Sequence, residues 1–182
     1  MPTENTGNAD FLRDVATHEL KIIRQEQQPA MIPRPTVTQE MKIEAARLLA
    51  AAVGWPADYA EDIANQFNGN MDGYELAKEL ERWCSWDVPR DMMEELDDMQ
   101  YQVDKLLAAA ERKWFEENDI QPPHPIGTRI RDRRWKDGEV GCIDGIYEHG
   151  VAKYLMKPDG QDDEATGNRR LIIKFEDAEL VA

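Results

Sequence analysis

The sequence has few of the residues that most often carry covalent or metal chemistry. Its 182 residues include two cysteines, three histidines and one serine. Cys84 and Cys142 lie far apart and match no metal-binding or redox spacing, so each is interpreted as a small buried or half-buried thiol in a reducing compartment. No hydrolytic triad can be assembled from this set. We therefore expect a protein that is not an enzyme and that needs no cofactor.

Long apolar runs are missing as well. No stretch approaches the roughly 18 residues of a membrane span, and the first ten residues are polar and acidic, unlike a secretory signal. These features predict a soluble, cytoplasmic protein. Hydrophobic residues still make up 41% of the chain, which is too many for a disordered acidic tail, so the chain is expected to fold.

Positive charge is scarce, and the deficit is concentrated in one part of the chain. The chain has 22 Lys+Arg against 37 Asp+Glu, a net charge of -15, which argues against a binder that neutralises nucleic-acid phosphates. Residues 57–119 hold 6 basic and 18 acidic residues, a net of -12, whereas residues 120–182 hold 10 and 12, a net of -2. The acidity is therefore a candidate binding feature of one segment.

A change in sequence pattern divides the chain at Pro122, Pro123 and Pro125. Three prolines in four residues end a helix and enforce an extended connector. Helical periodicity comes before them, and short β-type runs between glycines come after them. The fold class predicted is α+β, with an all-α part followed by a small β-barrel. The predicted divisions are a helical arm and Pro-rich linker (1–35), an acidic helical domain (36–119), a connector (120–127) and the barrel (128–182).

Capping signals and apolar periodicity predict four helices before residue 90. The first carries Phe11, Val15, Leu20 and Ile23 on a loose apolar stripe. The four predicted segments are about Asp10 to Gln27, Thr36 or Thr38 to Gly54, Ala57 to Phe67, and a helix that begins at Asp72.

A fifth helix is predicted from about Arg90 to Asn118, roughly 40 Å long at the usual rise per residue. Its apolar positions are spaced by four and three residues in turn, as in a heptad seam. We favour an intramolecular bundle, and a homodimeric coiled coil is the alternative, so monomer and homodimer both stay open. The seam consists of Met92, Leu96, Met99, Val103, Leu106 and Ala110.

Carboxylates crowd the first half of this predicted helix. Acidic side chains spaced along a rigid helix can imitate phosphates and pair with Arg and Lys on a partner. We therefore take them as the candidate partner-binding face, called here the acidic face. Its residues are Glu94, Glu95, Asp97, Asp98 and Asp104.

The loop before the fourth helix nearly matches a calcium-binding pattern. Its candidate ligands are Asn68, Asn70, Asp72 and Glu79, with glycine at the sixth position of the loop. Asp72 and Glu75, however, have the spacing of a helix capping box, which would direct Glu79 away from the loop. We favour the cap over a metal site.

The last third of the chain contains three segments that resemble SH3-like barrels of the KOW and Tudor type. They are Ile126 to Ile130, Gly138 to Ile143 and Ile172 to Asp177. The resemblance implies a small, partly closed five-stranded barrel used for protein contacts, RNA contacts or bracing. The chain departs from KOW domains in the acidic insertion at 161–164. It also departs from Tudor domains that read methyl-lysine, because it has no obvious cluster of aromatic residues beyond Trp135, Tyr147 and Tyr154.

A basic hairpin interrupts this nearly neutral segment. An RNA backbone and a stacked base could bind there. We favour instead a charged hairpin in a nearly neutral domain, with docking against the chain's own acidic helices as one way to use it. The patch consists of Arg129, Arg131, Arg133, Arg134, Trp135 and Lys136.

The overall character of the chain is similar to that of phage-encoded counter-defence proteins, including anti-CRISPR inhibitors. The segment Met71 to Glu81 also resembles phage accessory proteins. This resemblance implies an inhibitor that binds the basic, nucleic-acid-binding surface of a bacterial complex such as a CRISPR effector, in the cytoplasm of the host. The alternatives are an assembly adaptor that dimerises through the heptad seam and a weak RNA-binding module that uses the basic hairpin.

Overall fold

The computed structural model describes residues 32–135, 137–161 and 169–181. Within these ranges the chain forms helices first and strands second, so the predicted α+β class is confirmed. The helices and the sheet form one compact unit, Arg34–Ala182. The helix predicted over Asp10 to Gln27 and the basic residue Lys136 lie outside the described residues.

Five helices occupy the first part of this unit, and two of them begin at side-chain caps that the sequence predicted. The hydroxyl of Thr38 accepts a hydrogen bond from the Met41 N–H at 3.2 Å, which satisfies one of the unpaired donors at a helix start. Gly54 ends the same helix in the left-handed region, at φ 77°. The helices are α1 (Gln39–Val53), α2 (Tyr59–Gln66), α3 (Gly73–Cys84), α4 (Arg90–Leu96) and α5 (Met99–Glu117).

Helix α3 begins with the predicted capping box. The Asp72 Oδ1 accepts from the Glu75 N–H at 2.8 Å, and the Glu75 Oε2 accepts from the Asp72 N–H at 3.4 Å. Both halves of the box are present, so the helix start that we favoured over a metal loop is confirmed.

The single long helix predicted from Arg90 to Asn118 is wrong. The structure has two helices, α4 and α5, separated by a turn at Asp97 and Asp98 whose φ and ψ stay in the right-handed helical region. A tertiary contact lies at this turn, where the Asp97 Oδ1 accepts from the Gly73 N–H at 2.5 Å and so caps α3. The contact requires glycine, since a Cβ at Gly73 would lie 2.0 Å from the Met93 carbonyl oxygen.

The hydrophobic core of the helical part is shared by all five helices. Leu96, Met99 and Val103 of the heptad seam are buried in this core, and Met92 and Leu106 pack against it partly buried. The seam therefore packs inside the same chain, in agreement with the intramolecular bundle. Other large side chains in the core are Leu49, Ile63, Phe67, Leu76 and Leu80.

The second part of the unit is an antiparallel five-stranded sheet with the order β4-β3-β2-β1-β5. Four strands follow one another as a meander, and the last strand returns to pair with the first, with Ile130 opposite Leu180. A turn of 3-10 helix, Phe175–Asp177, precedes that last strand. The strands are β1 (Arg129–Asp132), β2 (Val140–Ile146), β3 (Lys153–Pro158), β4 (Leu171–Lys174) and β5 (Ala178–Leu180).

One face of the sheet supplies a second core. The rings of Tyr154 and Phe175 lie 4.4 Å apart between centroids. The other buried members include Ile130, Ile143, Met156 and Ile173. In the part of the chain that the structure describes, no helix is long and apolar enough to cross a membrane.

Candidate partner-binding surfaces

The acidic face lies on both sides of the break between α4 and α5. Glu94 and Glu95 belong to α4, and Asp104 belongs to α5. Asp97 and Asp98 form the turn between the two helices. All five residues are exposed, so the structure presents them to solvent on α4, on α5 and on the two-residue turn between them.

Three carboxylates of the acidic face have partners within the chain. Asp97 caps α3, Glu94 pairs with the exposed Arg90 at 3.3 Å, and Asp104 accepts from the Gln100 side-chain amide at 2.7 Å. Among the described residues, none forms a hydrogen bond or ion pair with the side chain of Glu95 or Asp98. These two carboxylates are therefore the members available to an external cation.

Sequence reasoning missed an aromatic side chain in the middle of the acidic face. Tyr101, on the first turn of α5, is 62% exposed. Asp98 precedes it by three residues and Asp104 follows it by three, which places both on neighbouring positions of the helix surface. The sequence shows a tyrosine shortly after the acidic residues, but its exposure follows only once the helix start at Met99 is known.

The residues of the calcium-like pattern are arranged around a helix start. The Asp72 carboxylate is engaged in the capping box, and the Glu79 Oε2 accepts from the Trp83 indole N–H at 2.8 Å. Asn68 and Asn70 are exposed. Within the described ranges, no group of three or more His, Cys, Asp or Glu side chains is placed to hold a metal ion.

The four described arginines of the basic hairpin pair with carboxylates of the sheet, and the structure does not show them docked on the acidic helices. The short antiparallel strands bring carboxylates from β1, β5 and the adjoining turns next to the guanidinium groups. The pairs are Arg129–Asp159, Arg131–Glu179 at 2.8 Å, Arg133–Asp177 at 3.3 Å, and Arg134 with Asp132 at 2.5 Å and with Asp177 at 3.3 Å.

Two of these carboxylates, Asp132 and Asp177, are buried. A hydrogen bond from Arg134 lowers the pKa of Asp132 against the opposing effect of burial, because an opposite charge favours the ionised carboxylate. Charge held in such pairs contributes less to the capture of phosphates than free charge would. Trp135 beside them is 67% exposed, and the sixth member, Lys136, lies outside the described residues.

A buried arginine in the Pro-rich linker is the largest omission of the sequence reasoning. The side chain of Arg34 is 5% exposed. Its guanidinium donates to Glu176 at 2.6 and 3.2 Å and to the carbonyl oxygens of Val151 at 3.1 Å and Ala152 at 2.8 Å. It also pairs with Glu111 at 3.3 Å.

Arg34 joins the helices to the sheet through these contacts, together called here the Arg34 clamp. Its guanidinium lies 5.0 Å from the ring centroid of Trp114 on α5, while Glu176 belongs to the 3-10 turn of the sheet. Burial alone would raise the pKa of the Glu176 carboxyl, but the Arg34 hydrogen bond and charge lower it below its usual value. In the sequence, Arg34 stands between two prolines, and nothing local distinguishes it from a solvated linker residue.

The connector after α5 is also fixed to the sheet. The Tyr154 hydroxyl donates to the His124 carbonyl at 3.0 Å and accepts from the His124 N–H at 2.8 Å. Ile120 is buried. The connector is therefore tied to the sheet at His124 and at Gly127, whose N–H donates to the Ile143 carbonyl at 2.8 Å, while Pro122, Pro123 and Ile126 are exposed.

Comparisons with known proteins return no relative, since no family model, no curated protein and no solved structure matches this chain.

Proposed function

We propose that the protein is a non-enzymatic acidic inhibitor that binds the basic, nucleic-acid-binding surface of a bacterial protein complex such as a CRISPR effector. It would act in the cytoplasm of the host bacterium, as a phage counter-defence protein. The observation that carries the proposal is the exposure of Glu95, on α4, and of Asp98, in the following turn, without partners among the described side chains and near Tyr101 in the sequence.

The charge distribution supports this proposal. The net charge of -12 over residues 57–119 creates a long-range field that accelerates association with a basic partner and weakens as salt rises. Because packed helices already fix the backbone at these carboxylates, binding orders only their side chains, which favours affinity. An exposed tyrosine among them provides a flat ring of the kind that is enriched at protein interfaces.

We further propose that the sheet is a small SH3-like barrel that braces the helices or attaches the inhibitor to its partner. A four-strand meander, a 3-10 turn and a fifth strand that returns to the first support this assignment. Close packing of the second strand on the third supports it as well, because a Cβ at Gly141 would lie 2.1 Å from the Lys157 carbonyl oxygen.

The test compares two double charge reversals that change the net charge equally. One is Glu95→Lys with Asp98→Lys, and the matched control is Asp137→Lys with Glu148→Lys, at exposed positions of the sheet. Asp97 is left unchanged because its carboxylate caps α3. Each protein is titrated into purified CRISPR effector complexes bound to their guides, and target-DNA binding is measured by gel shift.

The proposal expects the unmodified protein to block DNA binding by at least one effector. The Glu95 and Asp98 reversal should raise the concentration for half inhibition at least about tenfold, since each reversal replaces an attraction with a repulsion. The control should change it by less than about twofold. Equal losses in both variants would mean that net charge alone acts, and an absence of inhibition across effector types would contradict the proposal.

The two alternative functions have weaker support. An adaptor that dimerises through the heptad seam requires Leu96, Met99 and Val103 at an interface between chains, whereas they are buried in the core of one chain. An RNA-binding module requires free arginines on the hairpin, and those described are paired. Light scattering tests the adaptor, because a stable homodimer at micromolar concentration would favour it.

A further inference from the structure

A cleft opens where the end of α5 meets the sheet. Its volume is about 380 Å³, near the lower end of the roughly 300–1,000 Å³ typical of ligand pockets. Ile146 is 40% exposed there, a large apolar side chain left in contact with water. Apolar residues that line the cleft are Phe115, Ile120, Pro122, Ile146, Val151 and Phe175.

The helix side of the cleft carries negative charge, whereas on the sheet side the Lys153 Nζ lies 3.2 Å from the place of a Cβ at Gly150. Glu116 and Asp119, both exposed, lie on its helix side, and the described residues that line it include no Lys or Arg. Asp119 is held in the left-handed region at φ 46°, and its Oδ1 accepts from the Gln121 side-chain amide at 2.8 Å. The helix side of the rim, at Glu116 and Asp119, therefore attracts cations to the mouth of an apolar cavity.

The walls of the cleft are held by contacts described above. The Arg34 guanidinium binds the carbonyls of Val151 and Ala152 on the sheet side, and the Phe175 N–H donates to the Ala152 carbonyl at 3.0 Å. On the helix side, the Ile120 N–H donates to the Phe115 carbonyl at 3.3 Å. A preformed cavity of this kind requires little reorganisation when it binds a ligand.

We infer that this cleft is a second docking site, which takes a short extended segment of a partner protein carrying an apolar side chain flanked by Arg or Lys. Its volume admits a few side chains and not a whole helix. The apolar lining provides affinity, and the Glu116 and Asp119 rim selects basic flanking residues. The site is independent of the acidic face, because 17 residues of helix separate Asp98 from Phe115, roughly 25 Å along α5.

The probe is the fluorescein-labelled peptide RRLILRR, with two matched controls, EELILEE and RRSGSRR. Fluorescence anisotropy at about 0.15 M salt, where charges about 25 Å away are screened, measures binding to the whole chain. We expect binding of RRLILRR only, which weakens as salt rises. Ile146→Glu should reduce the affinity at least about tenfold, whereas Ile172→Glu, on β4 and 46% exposed, should leave it within about twofold.

A second variant keeps the test informative if Ile146→Glu does not fold. Glu116→Gln combined with Asp119→Asn removes the rim charge at exposed positions, and it should reduce the affinity for RRLILRR about threefold or more and flatten its salt dependence. The Glu95→Lys and Asp98→Lys variant should bind the peptide within about twofold of the unmodified chain, so a failure of this site is distinguishable from a failure of the acidic face.

Several outcomes would overturn the assignment. They are no binding of RRLILRR at about millimolar concentration, equal binding of EELILEE, equal loss in the Ile172→Glu control, or loss of binding on reversal of Glu95 and Asp98. Self-association of the chain that Ile146→Glu abolishes would also overturn it, since the cleft would then be covered by a second copy.

Discussion

Replacement of Arg34 by alanine should be among the most destabilising single substitutions in the compact unit. The substitution leaves the Glu176 and Glu111 carboxylates, 22% and 13% exposed, without their shared cation. It also removes the donor to two backbone carbonyls and the contact with Trp114. Truncation of one partner of a buried ion pair typically costs 3–5 kcal/mol. Because Glu176 keeps some contact with water, we expect a loss of about 3 kcal/mol in the free energy of unfolding.

Urea denaturation followed by circular dichroism measures this loss directly. In a separate thermal denaturation of a domain of this size, a loss of about 3 kcal/mol corresponds to a fall of roughly 6–12 °C in the melting temperature. Arg34→Lys should give an intermediate value, because an ammonium group keeps the charge but cannot bind a carboxylate and two carbonyls in the same planar arrangement. Arg90→Ala is the matched control, since that arginine is 91% exposed in its pair with Glu94 and should cause no measurable change.

The pH dependence supplies a second, independent check on the Arg34 clamp. Because Arg34 lowers the pKa of Glu176 in the folded protein, the stabilisation is complete above the unfolded-state pKa of the carboxyl. It is lost as the pH falls through the folded-state value. The gap between the unmodified chain and Arg34→Ala should therefore narrow below about pH 4.5. A gap under about 1 kcal/mol at pH 7, or one that stays constant on acidification, would refute the reasoning.

Three further predictions follow from the contacts of the helices and the hairpin. Gly73→Ala should lower the free energy of unfolding by about 2 kcal/mol, because its Cβ would overlap the next helix; Gly145→Ala, with open space around the new Cβ, is the control in the same urea titration. Asp72→Ala should cost about 1 kcal/mol and Asp72→Asn almost nothing, since asparagine caps as well; calorimetric heat on adding millimolar calcium, abolished by Asp72→Asn, would favour a metal site instead. A gel shift with a 20-nucleotide single-stranded RNA at low salt should show no complex, and a retarded band lost in Arg131→Ala would contradict the pairing of the hairpin arginines.

The helix ends show how far local sequence signals reach. Thr38, Gly54 and Asp72 form cap hydrogen bonds with residues within four positions, so the sequence predicted these three helix ends. The break at Asp97 could not be predicted in this way, because the contact found there joins Asp97 to Gly73, which is 24 residues away. Heptad spacing continues through the break, and the period therefore gave no sign of it.

The acidic face was also only partly predictable from the sequence. The composition indicated which segment is acidic, and all five carboxylates of the acidic face are exposed as that interpretation requires. Which of them are available was not predictable, because the partner of Asp97 comes from another helix. The arginine hairpin was likewise visible, but Asp177 and Glu179 reach it only through the pairing of the last strand with the first.

The position of Arg34 also has a consequence for the order of folding. Arg34 and Glu176 are 142 residues apart in sequence, and closing a loop of that length from an unfolded chain costs about 4 kcal/mol in entropy. The entropy cost of this contact falls once the helices and the sheet have formed and shortened the loop between the two residues. We therefore expect the contact to form late in folding. Stopped-flow measurements on Arg34→Ala should therefore show a folding rate close to that of the unmodified chain and a much faster unfolding rate. The contacts of Arg34 therefore act mainly on the unfolding rate, and so on the lifetime of the folded unit.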